Sequence, residues 1–440
     1  MEEILGNGVI IAEGEDHRRQ RKVLNPSFSA AAVRDMTTIF YDKANELVGV
    51  LNGILEEPAE EPASPDTEAG GRKIDILRYL GQTTLDIIGI AGFGYDFQAL
   101  STPNNELAGA YRDMFQATQT LNLMAILRAI VPLFSYIPTK ETRTIANSSR
   151  VTRRIGRQLI DDKKKAILAS NVGGNVEKAQ DFGKDLLSIL IRANMASDLK
   201  ADQKLSDEEV LAQITTFMLA GNETSSTALT WVLHCLSQHT DSQDRLRAEL
   251  KAVQEDRPSM DMLASLPYLD AVVREVLRLL PPVPSTIRTP VKDAVIPLGT
   301  PVRGRDGTLM ETVKVQKGAI MFIPIMNVNT SPLSWGHDAT EYNPDRFEKS
   351  NEATASDKVP GVYGNLLTFL GGTRNCIGYK FALTEIKAIL FVLIRNFTFE
   401  ELASKPEIEK KTSMVMRPRV VGQEKMGLQL PLLVKAVVSA

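Results

Sequence analysis

Apolar residues recur every three to four positions through most of the first 280 residues, the period of helices with one face turned to a core. From about Glu15 to Leu51 the pattern is helical, until the acidic, proline-bearing stretch Glu56 to Gly71 interrupts it. Such a segment cannot pack a core and reads as a surface loop. Helical periodicity resumes at Ile74, and Leu85 to Tyr95 reads as a buried helix with a glycine exit. A second polar, glycine-bearing loop lies between Val172 and Lys184. Ser206 and Glu209 then stand at capping-box spacing, and apolar periodicity runs to about Leu236, predicting a helix of roughly 30 residues and about 45 Å. Beyond Pro290 the texture changes. Asp293 to Leu298, Thr308 to Val315 and Ala319 to Pro324 are short, and Asp306-Gly307 and Lys317-Gly318 separate them as hairpin turns would. The pattern predicts a mainly α chain with small β-sheets, an α+β class, without internal repeats.

Composition narrows the possibilities. A chain of 440 residues with 43% hydrophobic and 24% charged residues is ordinary for a globular protein, and one domain over 1–440 is expected. A net charge of -3 gives no electrostatic case for nucleic acid. Two cysteines, Cys235 and Cys376, cannot build a disulfide framework and suit a reducing compartment. No run of about 18 apolar residues occurs, and the first residues lack the regions of a signal peptide, so the chain as written reads as soluble and intracellular. Cys235, His234, His239 and His337 have no metal-ligand spacing and read as core or surface residues.

Cys376 lies in Phe369-Leu-Gly-Gly-Thr-Arg-Asn-Cys-Ile-Gly378. Gly371, Gly372 and Gly378 narrow the backbone around one thiol, Arg374 stands two residues before it, and an apolar helix follows. Glycines let the chain turn and a flat cofactor approach, a cation and backbone N–H groups lower a thiol pKa, and Phe369 can shield the sulfur. The bland alternative is a buried structural cysteine beside a glycine turn. The decapeptide resembles the Phe-x-x-Gly-x-Arg-x-Cys-x-Gly signature of the cytochrome P-450 family, the haem-thiolate monooxygenases. The resemblance implies that Cys376 is the axial ligand to the iron of haem b.

Other segments stand in the same order as in that family. Inside the long helix, Ala220-Gly-Asn-Glu-Thr-Ser225 is a polar break. Gly221 costs about 1 kcal/mol against alanine there, so the position calls for a reason, such as a ligand approaching the backbone. By itself the stretch reads more readily as packing, with hydroxyls bonded back to carbonyls four residues earlier. It is similar to the family's acid-alcohol pair, which implies Thr224 as hydrogen-bond donor to O2 and Glu223 in its proton relay, with Ala220 and Gly221 beside the cofactor. Glu275 and Arg278 share a helical face before Pro281-Pro282 and alone would read as a surface pair. The resemblance implies a buried structural triad completed by Arg346 of Asn343-Pro-Asp-Arg-Phe347. His17 and Arg21, at i,i+4, could face one anion, and the resemblance adds Arg288 and Arg374 as holders of the haem propionates. Arg18, Arg19 and Lys22 read as a solvated basic face. Gly378-x-x-Phe381-Ala382-x-x-Glu385 opens the helix that follows the cysteine.

In full-length eukaryotic members a membrane anchor, a proline hinge, the first strands and one helix precede the segment matching residue 1. The resemblance thus implies a fold lacking that front, with a full-length form on the cytosolic face of the endoplasmic reticulum membrane and membrane contact only through the anchor. The implied reaction inserts one atom of O2 into an apolar small molecule, with electrons from NADPH through a separate NADPH-cytochrome reductase. The chain carries no flavin or nicotinamide fingerprint. The alternatives are a haem-thiolate isomerase or dehydratase, against which the Glu223-Thr224 pair argues, and a non-catalytic truncated remnant of the same fold.

Overall fold

The computed structural model describes residues 6–57, 71–102, 105–119, 139–172, 185–195, 204–348 and 359–437. Among the described residues the first half is helical except for one strand: α1 (Gly14–Leu24), α2 (Ala30–Glu56), β1 (Arg72–Asp75), α3 (Ile76–Phe93), α4 (Glu106–Gln119), α5 (Lys140–Val172), α6 (Leu186–Met195) and α7 (Asp207–Gln238). There follow α8 (Thr240–Ala252), α9 (Met260–Ser265), α10 (Pro267–Leu279), β2 (Thr286–Arg288), β3 (Ala294–Arg303), β4 (Leu309–Val315), β5 (Met321–Ile323), α11 (Ile325–Asn329), α12 (Pro332–Trp335) and α13 (Asp345–Glu348). The last elements are α14 (Tyr379–Asn396), β6 (Phe397–Glu400), β7 (Ile408–Thr412), β8 (Met416–Val420) and β9 (Pro431–Ala436). The class is the expected one, mainly helical with small antiparallel sheets.

Local chemistry explains most boundaries. The helical run expected from Glu15 to Leu51 is divided, because Pro26 in the 3-10 turn Asn25–Phe28 cannot continue α1. The Ser29 side chain then caps α2 by accepting from the Ala32 N–H. Glu56 closes α2 and Gly71 leads into β1, so the expected acidic loop keeps its ends, while residues 58–70 and 173–184 lie outside the described residues. Helix α3 ends on Gly94 in the left-handed region, φ 63°. At α7 the predicted capping box is present, with Ser206 and Glu209 each bonded to the other's backbone.

Two helices organise the core. Helix α14 is buried nearly all round, from Phe381 to Ile394, and packs on α2, α7, α8, α9 and α10. Helix α7 is 32 residues long and buried over 210–218 and 225–233, with only 219–224 half-exposed between. The indole N–H of Trp231 donates to the Met416 carbonyl at 2.8 Å and ties α7 to β8.

The strands form a three-stranded sheet in the order β1-β9-β6 and the pairs β2–β5, β3–β4 and β7–β8. The hairpin expected across Lys317-Gly318 does not form. Gly318, at φ 81°, donates its N–H to the Pro290 carbonyl, and β5 pairs with β2 instead of β4. Strand β3 runs on to Arg303 through a register shift between Pro297 and Val302. Most of β3 and β4 is exposed on both faces, including Val295, Val302 and Leu309. Among the described residues no helix is long and apolar enough to cross a membrane.

Candidate active site

The segment before α14 folds back on itself. Cys376 donates its N–H to the Phe369 carbonyl at 2.8 Å, and Val362 donates to the Leu370 carbonyl at 3.1 Å. The two legs are pressed together so closely that a Cβ at Gly371 would stand 1.7 Å from the Pro360 carbonyl oxygen. Leu370, between Phe369 and Gly371, is left-handed at φ 58° without being glycine, a conformation that persists only where neighbours hold it. Gly378 differs. An added Cβ there would meet only Phe28, at an ordinary 3.6 Å, so the protein itself leaves room over this glycine. The Cys376 side chain is exposed. The Gly378 N–H and the Arg21 cation favour its thiolate as expected, and the protein atoms close behind the sulfur act in the opposite direction and raise the thiol pKa. The cation acting on the sulfur is Arg21, from α1, rather than Arg374.

Behind the loop, Glu275, Arg278 and Arg346 are brought together. The Arg278 Nε and Nη2 donate to the two Glu275 oxygens at 2.7 and 2.8 Å, and Arg346 Nε donates to Glu275 at 3.0 Å. Glu275 and Arg278 are fully buried, so the surface-pair alternative falls. Arg278 also donates to the carbonyls of Asn329, Ala339 and Glu341, and Arg346 to Asp338. Asn329 extends the network to the loop: its amide oxygen accepts from Leu367 N–H and its NH2 donates to Thr368 Oγ1, both at 2.8 Å. Asn329 and Asp338 carried no sequence signal, since an isolated polar residue has no period or spacing that marks it.

Helix α1 closes one side. Arg21 donates to the carbonyl and the side-chain oxygen of Asn375 at 2.6 and 2.9 Å, and Arg374 donates back to the Ala12 carbonyl at 2.8 Å. His17 is buried beside them, and burial together with the Arg374 and Arg21 cations lowers its pKa. Three of the four expected propionate partners thus gather at one place. Arg288 is on β2, and its hydrogen bonds are local, to Thr286 and the Ile287 carbonyl. Arg19 is not solvated as expected: it pairs with Glu209 and bonds the Lys204 carbonyl, fixing α1 to the start of α7.

The half-exposed window of α7 is bracketed by two links to the cysteine segment. On one side Phe28 packs edge-on against Phe217, centroids 5.2 Å apart, and lies over Gly378. On the other, Ser225 faces Glu385 of α14. Within the window, Thr224 donates to the Ala220 carbonyl at 2.6 Å, the back-bond of the bland alternative, which leaves its oxygen free to accept. Glu223 pairs with Arg417 of β8 at 3.2 Å, and burial raises its pKa against the pull of that cation. Gly221 has a different reason from the one expected: an added Cβ would meet Ile88 of α3 at 3.0 Å, so the glycine serves helix–helix contact.

Comparison with known proteins fits this geometry. The cytochrome P450 family model matches residues 2–423, and the chain belongs to that family. Two proteins of Postia placenta, cytochrome P450 monooxygenase 205 and cytochrome P450 monooxygenase 128, are each 44% identical to it across 98% of this chain and 78% of their own length. Ganoderic acid synthetase CYP5150L8 of Ganoderma lucidum is 37% identical across 94% of this chain and 76% of its own. The protein is therefore an oxidoreductase of the monooxygenase type that takes haem iron as its cofactor. The residues fit that group: an exposed thiol at a tight loop, space over Gly378, a cationic cluster for carboxylates and the half-exposed window of α7.

Glu385 is buried with 0% exposure, and no hydrogen bond of standard geometry reaches either oxygen, although the Ser225 hydroxyl is near. Burial pushes its pKa from 4.5 up to about 8. A raised folded-state value stabilises fully below pH 4.5 and is lost as pH rises through about 8. Thermal melts should show that loss, a few kcal/mol in order of magnitude, and Glu385→Gln should flatten it. An unchanged slope in the Gln variant would show that the carboxyl is not held neutral.

Proposed function

We propose that the chain inserts one atom of O2 into an apolar small organic molecule, reducing the other to water with two electrons from NADPH delivered by a separate NADPH-cytochrome reductase. In a form carrying an anchor, the setting would be the endoplasmic reticulum membrane. The observation that carries this reading is the exposed Cys376 at a loop fixed from both sides, with the window of α7 bracketed over the same segment. Bound haem supplies the redox and oxygen-activating chemistry. Cys376 would hold its iron; His17, Arg21 and Arg374 would hold its carboxylates, with Arg288 approaching from β2.

Proton handling falls to the window. The Thr224 oxygen, already donating its proton to Ala220, accepts a second hydrogen bond and can exchange the two. Burial raises the Glu223 pKa while the Arg417 cation opposes that shift, so the carboxyl beside Thr224 is a candidate to pass a proton into the window. The half-exposed Leu219, Ala220 and Gly221 offer an apolar wall, which supports an apolar substrate.

The reduced carbon monoxide difference spectrum tests the ligand. Cys376→Ala should lose the thiolate-type red-shifted Soret band. Cys235→Ala should keep it, because Cys235 is buried and its thiol is pushed up to about 12. A thiolate band in Cys376→Ala would end the assignment.

Thr224→Ala should bind haem as the parent does while product per NADPH falls on the order of tenfold or more and peroxide rises. Turnover with reductase and an apolar probe that the parent oxidises measures it. Parent-like coupling would leave the hydroxyl with its helical back-bond alone.

A further inference from the structure

A second polar cluster, away from Glu275, meets the cysteine loop from the other direction. Asp270 of α10 accepts from the Tyr363 hydroxyl at 2.8 Å and from the Lys387 ammonium of α14 at 2.7 Å, both on one oxygen. Its other oxygen is held by Arg274, one turn along α10. Lys387 is nearly buried, with 6% of its side chain exposed, so it needs that carboxylate. Arg274 lies over the rings of Phe347 and Tyr363, 5.1 and 5.4 Å from their centroids. Gly364, at φ 58°, lets the chain pass so near that a Cβ would stand 2.9 Å from Arg274.

Tyr363 is the outlet of this cluster. Its ring meets Phe369 edge-on at 6.0 Å, and Phe369 in turn touches Tyr379 at 6.2 Å. The Phe369 carbonyl receives the Cys376 N–H, and the next residue is the left-handed Leu370. A non-glycine residue in that conformation relaxes when its neighbours loosen, and relaxation there moves the carbonyl that orients Cys376. Thr368 is fixed separately, to Asn329 and the Leu277 carbonyl. The ring of Phe369 rests on two aromatic neighbours: Tyr379, with the Lys380 ammonium over its face at 5.8 Å, and Tyr363, whose hydroxyl is hydrogen-bonded to the Asp270 carboxylate.

We infer that Asp270, Lys387, Arg274 and Tyr363 form a second clamp that positions Phe369 and thereby sets the environment of the Cys376 sulfur, distinct from the Glu275–Arg278–Arg346 lock. None of the four touches cofactor or substrate in this role; they are positioning residues. The inference rests on Cys376 being the haem ligand. Its physical content is a division of labour: Glu275 and its arginines keep the fold behind the loop, while the Asp270 cluster holds the electronic setting of the sulfur. Burial favours a neutral Asp270, but the Lys387 and Arg274 cations and the two hydrogen bonds bring its pKa below the ordinary value, so the anchor stays charged at neutral pH.

The test uses the haem-loaded 440-residue chain. Tyr363→Phe keeps the ring and deletes one hydroxyl; Lys387→Met leaves Asp270 paired with Arg274; Lys387→Arg keeps the charge. Three quantities are read: the melting temperature, the ferric–ferrous midpoint potential, and the rate at which the thiolate-type carbon monoxide band decays to the inactive band. In Tyr363→Phe the decay should quicken several-fold and the potential shift, with the melting temperature within a few degrees of the parent. Lys387→Met should show the same signature more strongly, and Lys387→Arg should restore most of the parent behaviour. Parent-like decay and potential in Tyr363→Phe would overturn the clamp, as would decay that only follows a lowered melting temperature. A parent without any thiolate band would instead overturn the ligand assignment, and the clamp with it.

Discussion

A carboxylate with no access to water must be matched by cations and hydrogen bonds, and Glu275 meets that demand in a way that fixes three segments of chain at once. Its oxygens take Arg278 from the same helix, Arg346 from a segment 71 residues on, and the Asn343 N–H. Removing any one partner would leave a buried charge short of compensation, which typically costs about 3–5 kcal/mol. The backbone carbonyls of Asn329, Ala339 and Glu341 are drawn in by the remaining N–H groups of Arg278. Asn329 then passes the constraint to Leu367 and Thr368, and so to the loop that ends at Cys376. The thiol is positioned by this sequence of obligations more than by any contact of its own.

Much of this was legible before the fold was known. The long helix was legible because a capping box and a sustained period announced it, and the cysteine loop because glycines, a cation and one thiol fall at fixed spacing. The partner of β5 was not, since strands of three residues carry no register of their own and pairing is decided by where Gly318 sends the chain. Gly221 was noticed for the right reason, a glycine inside a helix, but its neighbour is Ile88, a contact between residues 133 apart that no local pattern contains. Likewise Arg417, the partner of Glu223, and Lys387, the partner of Asp270, are isolated charges in sequence. Charge spacing reveals pairs within one helix and is silent on pairs between elements.

The direction of the thiol shift shows why local chemistry can mislead. Near Cys376 the sequence offers Arg374 and backbone donors; the Gly378 N–H acts as expected on the charged form, while the cation that does so is Arg21 of α1. Desolvation by the surrounding chain is larger and opposes them.

The β3–β4 hairpin stands out against the rest of the surface. Val295, Ile296, Val302, Leu309 and Val313 are all exposed on two strands that, among the described residues, pair only with each other. Such a ribbon is an adhesive: it gains from any strand laid along it, whatever the origin of that strand. The modest net charge of -3 offers little repulsion to keep two copies of this corner apart.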